Sequence, residues 1–218
     1  MNTQDKFVIT ISRELGSGGR SIGRKLAERL GVRYCDKDLV RGLVDKFNLT
    51  TFEIEKIKAA KKNWLADFIE KVAPVPRAEL VLGPRPGFND SPVPHYATSD
   101  EVFRAETEIL HAIAEEESCV IAGRSGFFIL KDLPNKVDIF IRASRDKRIE
   151  RVMRRQALTA EEAAIVIDKV DEVRDNFVKR YAGTSRYDAR NYDLVINVDN
   201  LSEDEAVEFI LNYIKNDR

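Results

Sequence analysis

Phe7-Val8-Ile9-Thr10-Ile11-Ser12, then Arg13-Glu14-Leu15-Gly16-Ser17-Gly18-Gly19-Arg20-Ser21, then Ile22 to Leu30, is the stretch whose reading decides the fold. A β-branched apolar run enters a loop with three glycines in four positions, Gly16 to Gly19. A helical pattern follows at once, with Ile22, Leu26, Ala27 and Leu30 on one face. Strand, glycine-rich turn and helix in that order make a phosphate cradle: glycine lets the backbone approach the anion, and N–H groups at a helix start point toward it. On the phosphate-loop pattern G-x-x-x-x-G-K-[ST], Gly18 and Ser21 can be placed. The lysine position holds Gly19, followed by Arg20, and the first glycine is Arg13.

Working outward, Gly31 stops the first helix and Val32 to Cys35 reads as a second strand with Asp36 at its C-terminal end. A helix is expected over Lys37 to Lys46. Thr50 with Glu53 opens another, reaching about Val72. Six of the seven prolines fall between Ala73 and Thr98, where periodicity is lost. Residues 48–98 therefore read as a helical and Pro-rich insertion within one domain spanning 1–218. Thr98 with Glu101 caps a helix to about Glu117. Cys119 to Ala122 is a third strand ending in Gly123-Arg124-Ser125-Gly126, and Val137 to Ile141 a fourth. A basic helix follows from Arg145 to about Ala157, then one capped by Thr159 and Glu162 that reaches about Tyr181. Leu194 to Val198 is the fifth strand, and Ser202 with Glu205 caps the final helix. Five short apolar strands alternating with helices specify an α/β fold with a five-stranded parallel sheet in a three-layer arrangement.

Composition is that of an ordinary soluble protein: 218 residues, 36 basic against 37 acidic side chains, net charge −1. That balance offers no basic field for nucleic acid, and no run is long enough to span a membrane. With no apolar signal segment at Met1 to Lys6, a cytoplasmic location is the default. Cys35 and Cys119 read as buried reduced thiols. His95 and His111 do not form a metal pair. Trp64, Leu65, Phe68 and Ile69 make a helix face that covers the core or a homodimer partner.

Ligands of parallel α/β sheets bind at the carboxyl ends of the strands. Those ends carry Ser12 to Ser21, Asp36, Gly123-Arg124-Ser125 and Arg142, a set suited to a phosphorylated substrate. Backbone N–H groups of Gly16, Ser17, Gly18, Gly19 and Arg20 would cradle donor phosphates, Ser21 would supply a hydroxyl to Mg²⁺, and Arg20 is the nearest replacement for the absent lysine. Asp36 reads equally as a helix N-cap and as an acceptor-site carboxylate. Six arginines occupy the fourteen residues from Arg142 to Arg155, and Arg148, Arg151 and Arg155 share one helical face. Arg145 and Arg148 are expected to reach the site first, and Arg174 with Arg180 to close over it.

These residues resemble the nucleoside monophosphate kinases, and most closely the cytidylate kinase-like family. Ile9 to Asp36 and Val120 to Gln156 carry the likeness, with Val120-Ile121-Ala122-Gly123-Arg124 and Asp138-Ile139-Phe140-Ile141-Arg142 the most specific part. The resemblance implies a P-loop kinase-like fold, ATP with Mg²⁺, and a small-molecule phosphate acceptor such as CMP. It also implies Arg124 as a monophosphate contact, with Ser125 where the family's turn carries an aspartate. Asp36 and Arg41 fall at the acceptor site, the insertion on the acceptor side, and 145–181 becomes lid-like helices. Asp171-x-x-Arg174 is similar to a family element. Two alternatives stay open: a nucleotide-binding protein with a degenerate loop and weak or no kinase activity, and a kinase for a non-nucleotide acceptor.

Overall fold

The computed structural model describes residues 1–36 and 99–216. The expected helices within 37–98, the capping pair Thr50–Glu53, the cap residue Thr98, Arg41, His95, the Trp64 face and the Pro-rich insertion all lie outside the described residues.

Five strands form one parallel sheet: β1 (Val8–Arg13), β2 (Arg33–Asp36), β3 (Cys119–Ala122), β4 (Lys136–Arg142) and β5 (Leu194–Asn197), in the spatial order β2-β3-β1-β4-β5. The helices are α1 (Gly19–Leu30), α2 (Ser99–Glu116), the single turn α3 (Gly126–Ile129), α4 (Arg145–Gln156), α5 (Ala160–Ala182) and α6 (Glu203–Asn216). β1 is central. Its Ile9 pairs with Val120 of β3 on one side and with Val137 of β4 on the other, so the loop after β1 opens at the middle of the carboxyl edge.

Alternation along the strands builds two cores. Val8, Cys35, Cys119 and Ile121 face α2, where Ile109, Leu110 and Ile113 meet them. Ile9, Ile11, Val120, Ile139 and Ile196 face the other way, onto Ile22 and Leu26 of α1 and Val207 and Ile210 of α6. Both sheet faces are therefore covered, which is why the strands read as nearly unbroken apolar runs. Cys35 and Cys119 are buried and reduced, and the Cys119 contact and burial push the Cys35 thiol upward. A third, smaller cluster joins α4 to α5 through Val152, Ala163 and Ile167, with Leu15 of the loop packed against it.

Local chemistry sets the boundaries. Gly31 ends α1 at φ +66°, returning its N–H to the carbonyls of Ala27 and Glu28. Thr159 and Glu162 form a reciprocal capping box at the start of α5, and Ser202 and Glu205 do the same for α6. Among the described residues no helix is long and apolar enough to cross a membrane.

Ile113→Ala removes a fully buried side chain between α2 and the sheet. It should cost about 2–5 kcal/mol, read as a lower midpoint of urea denaturation at unchanged slope.

Candidate functional site

The loop from Glu14 to Gly18 joins β1 to α1 and is held from above by α4 and α5. Asp171 of α5, buried, is the centre of that hold. Its carboxylate accepts the Leu15 N–H at 3.1 Å, Arg174 and Arg186 at 3.2 Å each, and Arg148. Arg148 also donates Nε to the Leu15 carbonyl at 2.8 Å and lies 3.4 Å from Glu14. Glu14 in turn accepts the Ala143 N–H at 3.0 Å. Arg151 donates to the carbonyls of Gly16 and Ser17, and Arg155 to the Ser21 hydroxyl at 3.2 Å. The face shared by Arg148, Arg151 and Arg155 is thus the face laid against the loop. Gly16 is needed there: at φ +83°, a Cβ would stand 2.7 Å from the Arg148 carbonyl oxygen.

Other arginines go elsewhere. Arg145 is exposed and paired with Asp168 in a two-pronged contact, away from the loop. Arg20 turns back to Asp36, donating Nε at 3.1 Å and Nη2 at 2.8 Å, with Arg24 3.8 Å from the same carboxylate. Asp36 therefore serves as a partner for the α1 arginines, and the stand-in for the lysine is turned toward it. Arg180 lies over the Tyr181 ring, 5.2 Å from its centre, and does not line the cavity beside the loop. Counted from Arg13, the eighth place of the loop pattern falls on Arg20, so Ser21 stands one residue beyond the usual hydroxyl position.

Beside the loop lies a cavity of about 450 Å³, between the ends of β1 and β3 and the flank of α5. Arg13, Arg124, Lys169, Arg174 and Arg186 line it with positive charge, and Phe127, Val173 and Phe177 supply an apolar wall. Phe177 is braced by Phe103 and Tyr181, rings 5.5 and 4.7 Å away. The Gly123-Arg124-Ser125 turn keeps all three residues at positive φ, two of them non-glycine, at +53° and +56°. Such strain persists only where surroundings hold it. Here Arg124 is ion-paired with the buried Glu106 of α2. Burial, then the nearby Arg174, hold the Arg13 guanidinium down to about 10.

Of the charged residues here, Arg13, Glu106, Lys169 and Arg186 are not among the candidate site residues read from the sequence. Arg13 stands out in the sequence as a charge at the end of a buried strand, at the place of the loop pattern's first glycine. Glu106 sits on the apolar face of α2 between Phe103 and Ile109, a misplaced charge that does carry a signal. Arg186 follows the long helix in no recognisable pattern.

The residues present suit an anionic ligand. The N-cap residue of α1 is Gly18, which brings no side chain, and no acid lies in the first turn; the Ser17 hydroxyl accepts the Gly19 N–H at 3.4 Å, and the positive end of the helix dipole still favours an anion there. Among the described residues no group of three or more His, Cys, Asp or Glu side chains could hold a metal ion. Mg²⁺ arriving on a polyphosphate needs only one or two protein oxygens beside phosphates and water.

Parallel strands in this order, with a glycine-rich loop between the central strand and α1, define a P-loop kinase-like fold. The chain belongs to the cytidylate kinase-like family, whose model matches residues 8–200. A cytidylate kinase of Sulfurisphaera tokodaii is 24% identical over 209 residues, covering 95% of both chains. Among solved structures, a protein of Eubacterium ventriosum is similar with a TM-score of 0.67 at 24% identity, over 97% of this chain and 99% of that one. A shikimate kinase from Bacteroides thetaiotaomicron gives a TM-score of 0.52 at 15% identity, with the same coverage, a likeness of fold.

Removing Asp171 leaves Arg148 and Arg186 buried without their carboxylate. Asp171→Ala should cost about 3–5 kcal/mol in chemical denaturation. The Arg13 guanidinium titrates lower in the fold than in the unfolded chain, so its charge opposes folding at neutral pH and is relieved above about 10. An added polyphosphate should therefore raise the melting temperature at pH 7, and the gain should shrink as the pH passes 10.

Proposed function

We propose that the protein is an ATP-dependent phosphotransferase that moves the γ-phosphoryl group to CMP or a similar small monophosphate. The observation that carries this reading is one shared edge. A loop built for phosphates and a cavity lined by Arg13, Arg124, Arg174 and Arg186 adjoin at the carboxyl ends of β1 and β3. Family membership and a curated relative named cytidylate kinase support it.

Phosphoryl transfer asks for alignment and charge neutralisation more than for covalent chemistry. In this reading the backbone from Gly16 to Arg20 receives the donor phosphates and the Ser21 hydroxyl faces Mg²⁺, which when bound neutralises charge between donor and transferring group. Arg124 receives the acceptor phosphate, with Ser125 beside it and the Phe127–Phe177 wall against the uncharged part. Arg148 acts through Asp171 and Leu15 by fixing the loop, while Arg174, held by the same carboxylate, faces the cavity. Helices α4 and α5 serve as the lid that excludes water.

Coupled measurement of ATP consumption across nucleoside monophosphates and small alcohols tests the assignment. The expected result is Mg²⁺-dependent turnover with CMP above the other acceptors. Turnover confined to an alcohol moves the acceptor to a non-nucleotide class. ATP binding without turnover on any acceptor overturns the enzyme reading and leaves a nucleotide-binding protein.

A further inference from the structure

Arg13 and Gly19 stand at the first and seventh places of the loop pattern, where glycine and lysine are usual. The two residue types have changed places, and the geometry supplies the reason. A Cβ added at Gly19 would lie 2.6 Å from the Arg13 Cβ and 3.1 Å from its Cγ. The arginine's stem fills the space a side chain at position 19 would need, so a lysine at 19 and an arginine at 13 exclude each other. Beyond that stem the guanidinium crosses Gly123: a Cβ there would fall 1.8 Å from Nη1. The glycine of the strand-end turn is thus the second vacancy through which Arg13 passes. Its head group then lines the cavity next to Arg124, Arg174 and Arg186.

The charges around it are unevenly matched. Arg174 and Arg186 share Asp171, Arg124 has Glu106, and Arg20 has Asp36. Among the described residues no carboxylate lies within ion-pair distance of Arg13. Its backbone carbonyl accepts from both Arg174 and Arg186, which fixes the strand end from which the side chain departs. A guanidinium with that setting is prepared for an anion that arrives from outside the protein, and its planar fork matches two phosphoryl oxygens.

We propose that Arg13 is the cation of this phosphate loop, a catalytic residue that contacts the phosphoryl oxygens of the bound substrate from the far side of Gly19 and takes the place of the loop lysine. The inference rests on the phosphotransferase reading for the reaction, and on the cavity alone for the binding of a polyphosphate.

The test uses the full-length protein with Arg13→Gln, Arg13→Lys and the exchanged double variant Arg13→Gly/Gly19→Lys. Two readouts are taken: calorimetric affinity for ATP and for inorganic tripolyphosphate, and steady-state kcat and KM with the best acceptor. Arg13→Gln should lose turnover by on the order of 10²-fold or more, the scale of removing one pre-set donor to a developing charge, and should bind tripolyphosphate at least about tenfold more weakly, as loss of a charge-assisted contact implies. The double variant should recover part of both. Lys25→Ala, on the outer side of α1 and paired with Asp204, serves as the surface control. Wild-type affinity and turnover in Arg13→Gln would overturn the proposal. If the wild type binds polyphosphate but transfers to no acceptor, the phosphotransferase reading fails, and the binding arm alone decides on Arg13. A melting curve for each variant without ligand separates misfolding from lost contact, and if Arg13→Gln is unfolded, Arg13→Lys decides, with wild-type-like kcat and a raised KM counting against a transition-state contact.

Discussion

A single buried carboxylate, that of Asp171, ties this molecule together at its working edge. It takes three guanidinium groups and one backbone N–H, drawing α4, α5, the segment at Arg186 and the glycine-rich loop onto one point. Alone, an aspartate so far from water would be costly, and so would each arginine around it. Together they satisfy one another, and the loop's Leu15 completes the arrangement from its own side by entering the apolar contact between α4 and α5. The loop conformation is therefore set by tertiary contacts as much as by its glycines.

The same economy explains where positive charge is left over. Arg148 is consumed by structure, Arg145 by Asp168, and Arg20 by Asp36, although each looks equally available when arginines are merely counted. What remains turned toward the cavity is Arg13, threaded between two glycines, with Arg124 held on a strained turn and Arg174 and Arg186 on Asp171. A net excess of guanidinium facing about 450 Å³ of space is an unfavourable arrangement until an anion enters. The apolar wall of Phe127, Val173 and Phe177 gives such a ligand a place for an uncharged end.

Legibility differed sharply between elements. The strands β1, β3 and β4, the stop at Gly31 and the capping pairs Thr159–Glu162 and Ser202–Glu205 could all be read in advance, because each depends on neighbours within a few residues. Helical spacing also grouped Arg148, Arg151 and Arg155 on the face that meets the loop. Which arginine of a basic helix turns inward first was not readable: Arg145 follows Ser144 at the exposed start of α4 and meets Asp168, a partner twenty-three residues away. Glu106 carried a readable clue, as an acid in an apolar stripe, whereas nothing around Arg186 distinguishes it.

The sequence by itself determined a parallel α/β sheet with a phosphate-type loop after its first strand, because apolar period, glycine placement and capping chemistry are local properties. It also determined that the lysine place is empty. Only the tertiary structure decided what fills that emptiness: Arg13 and Gly19 compete for one volume, and Gly123, more than a hundred residues on, leaves the opening through which the guanidinium reaches the cavity. Contacts of that kind are fixed by how strands and helices are stacked, and no spacing along the chain records them.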